Sequence, residues 1–79
     1  MNESTIKKLS ENIKIQRFKK KISQENCAKK LDISIPTYRD LEYNPNKLSI
    51  DQAIILGQFL ELNVFDIFFE DDIAKRNIK

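Results

Sequence analysis

The sequence predicts an all-α fold, arranged as a domain of five short helices. Glycine occurs once and proline twice among the 79 residues, and no stretch alternates apolar with polar residues for long enough to form a strand. Hydrophobic residues make up 41% of the chain and charged residues 33%, which is the balance of a folded domain rather than of a disordered tail. We place the domain at residues 1–69 and a charged C-terminal tail at residues 70–79.

Composition argues against catalysis and against metal binding. Histidine is absent and Cys27 is the single cysteine, so the commonest metal ligand, the commonest general base at neutral pH and an internal disulfide are all missing. We therefore expect no enzyme activity, no metal and no cofactor. The sequence also lacks a membrane-spanning apolar run and a secretory signal, which predicts a cytoplasmic protein without a membrane partner.

Charge is distributed unevenly, although the formal net charge is only +2. The acidic residues gather towards the end of the chain, at Glu61, Asp66, Glu70, Asp71 and Asp72. The basic residues crowd its first part, at Lys7, Lys8, Lys14, Arg17, Lys19, Lys20, Lys21, Lys29 and Lys30. Two interpretations stay open: one basic surface that meets an anionic partner, or an ordinary solvated face.

The first two helices are predicted from capping residues and apolar spacing. Ser4 or Thr5 can cap a first helix that runs to about Lys20. Its apolar residues recur at roughly helical spacing, at Ile6, Leu9, Ile13 and Phe18. Ser23 can cap a second helix that ends near Asp32. The apolar face of this helix consists of Cys27, Ala28 and Leu31.

A third helix is predicted from Ser34 as its cap to about Tyr43, with Pro36 in the first turn, where a missing amide hydrogen costs nothing. Residues 44–46 (Asn-Pro-Asn) read as a loop. Ser49 can cap a fourth helix. Its apolar stripe comprises Ile50, Ala53, Ile54, Leu56, Gly57 and Leu60. Asn63 can cap a short fifth helix, with Val64, Phe65, Ile67, Phe68 and Phe69 as its apolar residues.

The gap of about three residues around Asp32 forces a sharp change of direction between the second and third helices, which predicts a helix-turn-helix unit at about residues 23–43. The ordered set of matching residues then identifies a family. It comprises Arg17, Ile22, Ser23, Gln24, Glu25, Ala28, Leu31, Ile33, Ser34, Leu41, Glu42, Leu60, Leu62 and Ile67. With this set, the run from about Ile13 to Phe68 resembles the Cro and cI repressor (XRE) family of lambda-repressor-like helix-turn-helix regulators.

The resemblance implies roles for several residues. Ala28 is small so that the two helices of the motif approach closely, and Arg17 pairs with Glu42, the alternative being two unrelated surface charges. Gln24 resembles the family's phosphate-contacting glutamine at a helix N-terminus, where free amides attract an anion; the alternative is a polar first-turn residue without a partner. The other predicted phosphate contacts are Ser34, Asn44, Asn46 and Lys47.

A helical wheel of the third helix separates a core side from an outward side, at about 100° per residue. Tyr38, Leu41 and Glu42 fall on the core side. The outward side, with Ile35 at its border, supplies the predicted base-reading residues Ile35, Pro36, Thr37, Arg39, Asp40 and Tyr43. Arg39 is suited to guanine O6 and N7, Asp40 to cytosine N4, and Ile35 or Pro36 to a thymine methyl. In the alternative interpretation, Arg39 touches phosphate and Asp40 only orients Arg39.

Three positions depart from the family pattern: Asp32, Cys27 and Leu48, and Leu48 stands where a proline is common. Asp32 stands where a glycine often holds the turn in left-handed backbone, which Asp adopts less readily. Cys27 replaces a leucine, and we interpret it as a small buried hydrophobe rather than a reactive thiol.

The resemblance implies a sequence-specific double-stranded DNA-binding transcriptional regulator, a repressor that binds a palindromic operator as a homodimer. Phe65 and Phe69 exceed what a short fifth helix can bury, so we assign them to the dimer interface. In the alternative they fold back onto the domain beneath Ile73. A second function class also stays open: an antitoxin or mobile-element module with this fold whose main partner is a protein.

Overall fold

A computed structural model of the chain describes residues 2–63. Over that range the fold is all-helical, with four α-helices, one short 3₁₀ turn and no strand: α1 (Glu3–Lys19), α2 (Gln24–Leu31), α3 (Ile35–Tyr43), the 3₁₀ turn (Pro45–Lys47) and α4 (Ile50–Leu60). None of these helices combines the length and the apolar character that crossing a bilayer requires. The predicted fifth helix, Phe65 and Phe69, and the charged tail all lie outside the described residues.

Helix α1 begins earlier than predicted. Asn2 is its N-cap, and the Asn2 side chain accepts a hydrogen bond of 2.8 Å from the Thr5 amide. The prediction of Ser4 or Thr5 as the cap is therefore wrong. Asn, Ser and Thr are all good caps, so several candidates close together leave the first turn ambiguous. At its other end α1 stops at Lys19, one residue short of the predicted end.

The three serine caps are confirmed. Ser23 accepts from the Asn26 amide at 3.0 Å and Ser34 from the Thr37 amide at 3.3 Å. Ser49 accepts from the Gln52 amide at 3.1 Å, while the Gln52 side chain accepts from the Ser49 amide at 2.9 Å. This reciprocal pair is a capping box. Each hydroxyl satisfies an amide that the helix itself leaves without a partner, so the sequence determines where α2, α3 and α4 start.

A single core joins the four helices. It consists of Leu9, Ile13, Cys27, Ala28, Leu31, Tyr38, Ala53, Leu56 and Leu60. Three residues that the sequence assigned to apolar faces are instead exposed: Phe18 at 70%, Ile50 at 72% and Ile54 at 42%. For Phe18 the reason is angular, because Arg17 lies four residues after Ile13 and so takes the buried position on the same face.

Three helices end in left-handed backbone without glycine. Lys21 (φ 56°), Asp32 (φ 56°) and Glu61 (φ 54°) follow α1, α2 and α4. In each case the next residue's amide bonds a carbonyl in the last turn, as Ile22 does to Arg17 at 3.0 Å and Leu62 to Gly57 at 2.8 Å. These are Schellman motifs, in which glycine is the usual left-handed residue. The left-handed backbone predicted at Asp32 is confirmed.

Replacing Lys21 with glycine is expected to raise the free energy of unfolding by about 0.5–1 kcal/mol, since glycine adopts the left-handed region without the Cβ clash that lysine suffers. Lys8→Gly is the matched control, because it removes the same charge from an exposed position inside α1; it should lower the free energy by about 1 kcal/mol. Urea unfolding of both variants measures whether the free energy of unfolding rises or falls. A lower free energy of unfolding in both variants would contradict backbone strain at Lys21.

Gly57, the one glycine of the sequence, sits where the chain returns towards α4. A Cβ atom at this position would lie 2.5 Å from the backbone oxygen of Leu62. Such a contact is too short for any side chain, and the opposing atom belongs to the backbone that closes the helix end. Glycine at this position of α4 therefore permits the close approach of the Leu62 backbone.

Candidate functional site

Helix α3 presents two faces of opposite character. Tyr38, Leu41 and Glu42 are buried, with 0%, 7% and 2% exposure, as the helical wheel predicts. Pro36 and Tyr43 are exposed on the other side, and Ile35 at the border is half-buried. The outward face also carries Thr37, Arg39 and Asp40, all exposed. One surface of this helix is thus available to a partner while the other is fixed in the domain.

Glu42 is the anchor on the inner face. Its carboxylate accepts from Arg17 Nε at 2.7 Å, within a pair whose side chains are only 11% and 2% exposed. Arg17 also donates from its NH1 group to the Ile22 carbonyl at 3.2 Å. A buried carboxylate without a cation would be strongly unfavourable, so this ion pair joins α1 to α3 and fixes the rotation of α3.

Tyr38 and Cys27 complete the buried polar cluster. The Tyr38 hydroxyl donates to Glu42 Oε1 at 3.1 Å. Burial raises the pKa of Tyr38 far above its ordinary value, and burial also raises the pKa of the Cys27 thiol. Both groups therefore stay protonated at neutral pH. Cys27 is fully buried, in keeping with a packing role for its side chain.

Gln24 joins this cluster to the outward face. Its side-chain Nε2 donates to Glu42 Oε2 at 2.8 Å, while its Oε1 accepts from Arg39 Nε at 3.1 Å. Gln24 is the first residue of α2, so the N-terminus of α2 lies beside the outward face of α3. The predicted phosphate contact Gln24 and the predicted base contact Arg39 are therefore directly bonded to each other.

Asp40 belongs to a separate group at the end of α3. Its carboxylate accepts from Asn44 Nδ2 at 3.0 Å and from Lys47 Nζ at 3.2 Å. These hydrogen bonds, first that of Lys47 and then that of Asn44, lower the pKa of Asp40 below its ordinary value. Asp40 thus stays ionised near neutral pH, beside a compensating cation, and Arg39 is held by Gln24 rather than by Asp40.

The remaining predicted site residues lie around the same surface. Ser34 and Thr37 share a hydrogen bond of 2.7 Å between their hydroxyls at the start of α3. Tyr43 is 70% exposed, and the Lys14 ammonium lies 5.6 Å from its ring centroid. Asn46 is exposed and lines a groove together with these two residues. The surface therefore draws on α1 as well as on α2 and α3.

Sequence reasoning missed two contributors from α1. Ser10 Oγ donates to the Glu42 backbone carbonyl at 2.7 Å and is buried, and Lys14 contacts Tyr43. A signal for Ser10 was present, because Ser10, Ile13 and Arg17 have i, i+3 and i+7 spacing and so share one helix face. Lys14 gave no such signal, since its contact depends on the crossing of α1 over α3.

No group of three or more metal-ligating side chains occurs among residues 2–63, and every buried side-chain nitrogen or oxygen there has a hydrogen-bond partner. Comparison of the chain with protein-family models, with curated proteins and with solved structures finds no match.

Proposed function

We propose that the chain is a sequence-specific double-stranded DNA-binding transcriptional regulator, a repressor that binds a palindromic operator as a homodimer. The observation that carries this proposal is the two-faced helix α3, whose inner face is fixed by the buried Arg17–Glu42 pair and whose outer face exposes Arg39. An α-helix fits the major groove, and an arginine there suits guanine. In this proposal α2 and α3 form a helix-turn-helix, and a fifth helix follows the described residues.

Charge around α3 supports the same proposal. The Ser23-capped N-terminus of α2 lies beside Arg39, and the amides of a helix N-terminus attract phosphate. Lys47 offsets the one carboxylate on the outward face, at 3.2 Å from Asp40. In this proposal the negative charge of Asp40 therefore repels the DNA phosphates only weakly when Arg39 contacts the bases. Ser34, Asn44, Asn46 and Lys47 are proposed as phosphate contacts around it.

The test is selection of bound sequences from a pool of random duplexes. We expect a palindrome whose half-sites are about ten base pairs apart. Arg39→Ala should lose preference at one guanine in each half-site, worth about 1–3 kcal/mol of discrimination. Lys30→Ala is the matched control, because it removes one charge from a side chain that lies over the Phe59 ring of α4; it should keep the same base preference.

Failure of the wild-type chain to enrich any sequence would overturn the proposal. Equal loss of base preference in Arg39→Ala and Lys30→Ala would show that the preference depends on positive charge and not on the position of Arg39.

The homodimer is checked separately by sedimentation of the wild-type chain and of Phe65→Ala/Phe69→Ala, which should shift towards monomer.

A second candidate function is a protein-binding module with this fold, such as an antitoxin. The observation that favours it is the exposed apolar face of α4, where Ile50 and Ile54 lie one turn apart at 72% and 42% exposure. A steep loss of duplex affinity with rising salt concentration would favour the DNA-binding proposal, because phosphate contacts release counterions. A duplex affinity that does not depend on salt concentration would favour this second candidate.

A further inference from the structure

The Gln24 side chain lies between a buried group and an exposed one. Gln24 is half-buried, Glu42 is 2% exposed and Arg39 is exposed. The two hydrogen bonds of the amide, 2.8 Å to Glu42 and 3.1 Å from Arg39, use its nitrogen on one side and its oxygen on the other. This amide is therefore the direct connection between the core and the outward face of α3.

Chemistry permits the Gln24 amide only one orientation. An ionised carboxylate can only accept hydrogen bonds, and a guanidinium can only donate them. The amide NH₂ must therefore face Glu42 and the amide oxygen must face Arg39, since the flipped amide would oppose acceptor to acceptor and donor to donor. The positions of Glu42 and Arg39 thus determine the orientation of the Gln24 amide.

Glu42 is itself immobilised. Its carboxylate accepts from Arg17 Nε at 2.7 Å and from the Tyr38 hydroxyl at 3.1 Å, in addition to Gln24. A group held by three donors within the core is a rigid support. Gln24 connects Arg39 to this support through one side chain.

The contact with Gln24 uses the Nε of Arg39 and leaves both terminal amino groups of the guanidinium without a partner among residues 2–63. These two groups form a fork that matches guanine O6 and N7. Because the amide is neutral, it orients Arg39 without offsetting its charge, as a carboxylate in the same place would.

We propose that Gln24 is a positioning residue that holds Arg39 in one pose, with its terminal amino groups directed outward, and thereby restricts the recognition of one base pair to guanine. The inference rests on the proposed function and deepens it. Gln24 acts through Arg39 in this assignment and not through a phosphate contact of its own.

The first experiment needs no DNA. The order parameter of the Arg39 Nε–H bond is measured by ¹⁵N relaxation in the wild-type chain and in Gln24→Met, which retains the length of the side chain but cannot accept from Arg39. We expect a value above about 0.8 in the wild type and below about 0.6 in the variant. Gln58→Met, an exposed glutamine on α4, should leave the value unchanged, and the Arg17 Nε–H bond should stay rigid throughout.

The second experiment measures affinity for the selected duplex, for the same duplex with adenine in place of the Arg39-dependent guanine, and for random duplex. The wild-type chain should discriminate guanine from adenine by about tenfold to a hundredfold. Gln24→Met should reduce that discrimination by about tenfold and leave the affinity for random duplex within about twofold. Arg39→Ala/Gln24→Met should discriminate guanine from adenine no worse than Arg39→Ala alone, because Gln24 cannot affect base recognition through Arg39 once the Arg39 side chain is removed.

The outcomes separate the two proposals. A mobile Arg39 in the wild-type chain overturns the positioning role and leaves the regulator standing. Equal weakening of all three duplexes by Gln24→Met also overturns it, and indicates a phosphate contact instead. A rigid Arg39 in a wild-type chain that selects no sequence overturns the regulator, and with it the role of Gln24 in base recognition.

Discussion

Replacing Glu42 with alanine is expected to lower the free energy of unfolding by about 3–5 kcal/mol, because removing one partner of a buried ion pair leaves the other charge uncompensated. Arg17, with an 11% exposed side chain, would lose its acceptor at 2.7 Å. The Gln24 amide and the Tyr38 hydroxyl would lose theirs at 2.8 and 3.1 Å. A 79-residue chain is held by roughly 4–12 kcal/mol in total, so this variant should be partly unfolded at room temperature.

The measurement is urea unfolding followed by circular dichroism, with Glu25→Ala as the matched control. Glu25 is an exposed glutamate whose carboxylate lies 3.9 Å from Lys29, and its loss should cost no more than about 0.5 kcal/mol. The double variant Arg17→Met/Glu42→Leu should recover a large part of the loss, since apolar residues of similar volume often replace a buried pair without penalty. A small loss in Glu42→Ala would show that the cluster is solvated.

Replacing Tyr38 with alanine is expected to cost about 3–5 kcal/mol, the usual loss when a buried aromatic ring is removed from a core. Tyr38 is fully buried and is the largest of the fully buried side chains among residues 2–63. The same helix supplies the control, because Tyr43 is 70% exposed and its truncation should stay within about 0.5 kcal/mol. Tyr38→Phe separates ring from hydroxyl. It should cost about 1–2 kcal/mol, for the hydrogen bond to Glu42 alone.

Thermal unfolding of the three variants measures these differences. Similar losses for Tyr38→Ala and Tyr43→Ala would contradict the two-faced arrangement of α3, on which the proposed function depends. A loss in Tyr38→Phe as large as in Tyr38→Ala would place the whole effect in the Glu42 cluster and none in the ring.

Local sequence signals predicted the start of a helix well where only one capping residue precedes the apolar pattern. Ser23, Ser34 and Ser49 each stand alone as a cap before an apolar pattern, and each begins a helix. At the first helix, Asn2, Ser4 and Thr5 are all candidates for the N-cap. A helical wheel also does not show when a charged residue will take the buried position in place of an apolar neighbour. Phe18 is exposed because Arg17 is required inside as the partner of Glu42, and that requirement comes from a residue 25 positions away.

The candidate site was predicted as a surface but not as a set of bonds. The helical period assigns Arg39 and Asp40 to the outward face of α3. It does not specify that Arg39 meets Gln24 from another helix, or that Asp40 meets Asn44 and Lys47 from the following turn. Such contacts depend on helix crossing and on side-chain rotamers, which a sequence pattern does not encode.

The shared acceptor Glu42 divides α3 into positions that an engineer can change independently and positions that must change together. Pro36 and Tyr43 are exposed and have no bond to the Glu42 cluster, so new side chains there alter the surface and leave the scaffold intact. Arg39 and Gln24 are linked through that cluster to Arg17 and Tyr38, and substitutions among them will not be additive. Redesign of this surface should therefore begin at Pro36 and Tyr43, where substitutions act independently. Gln24 and Arg39 should be replaced together.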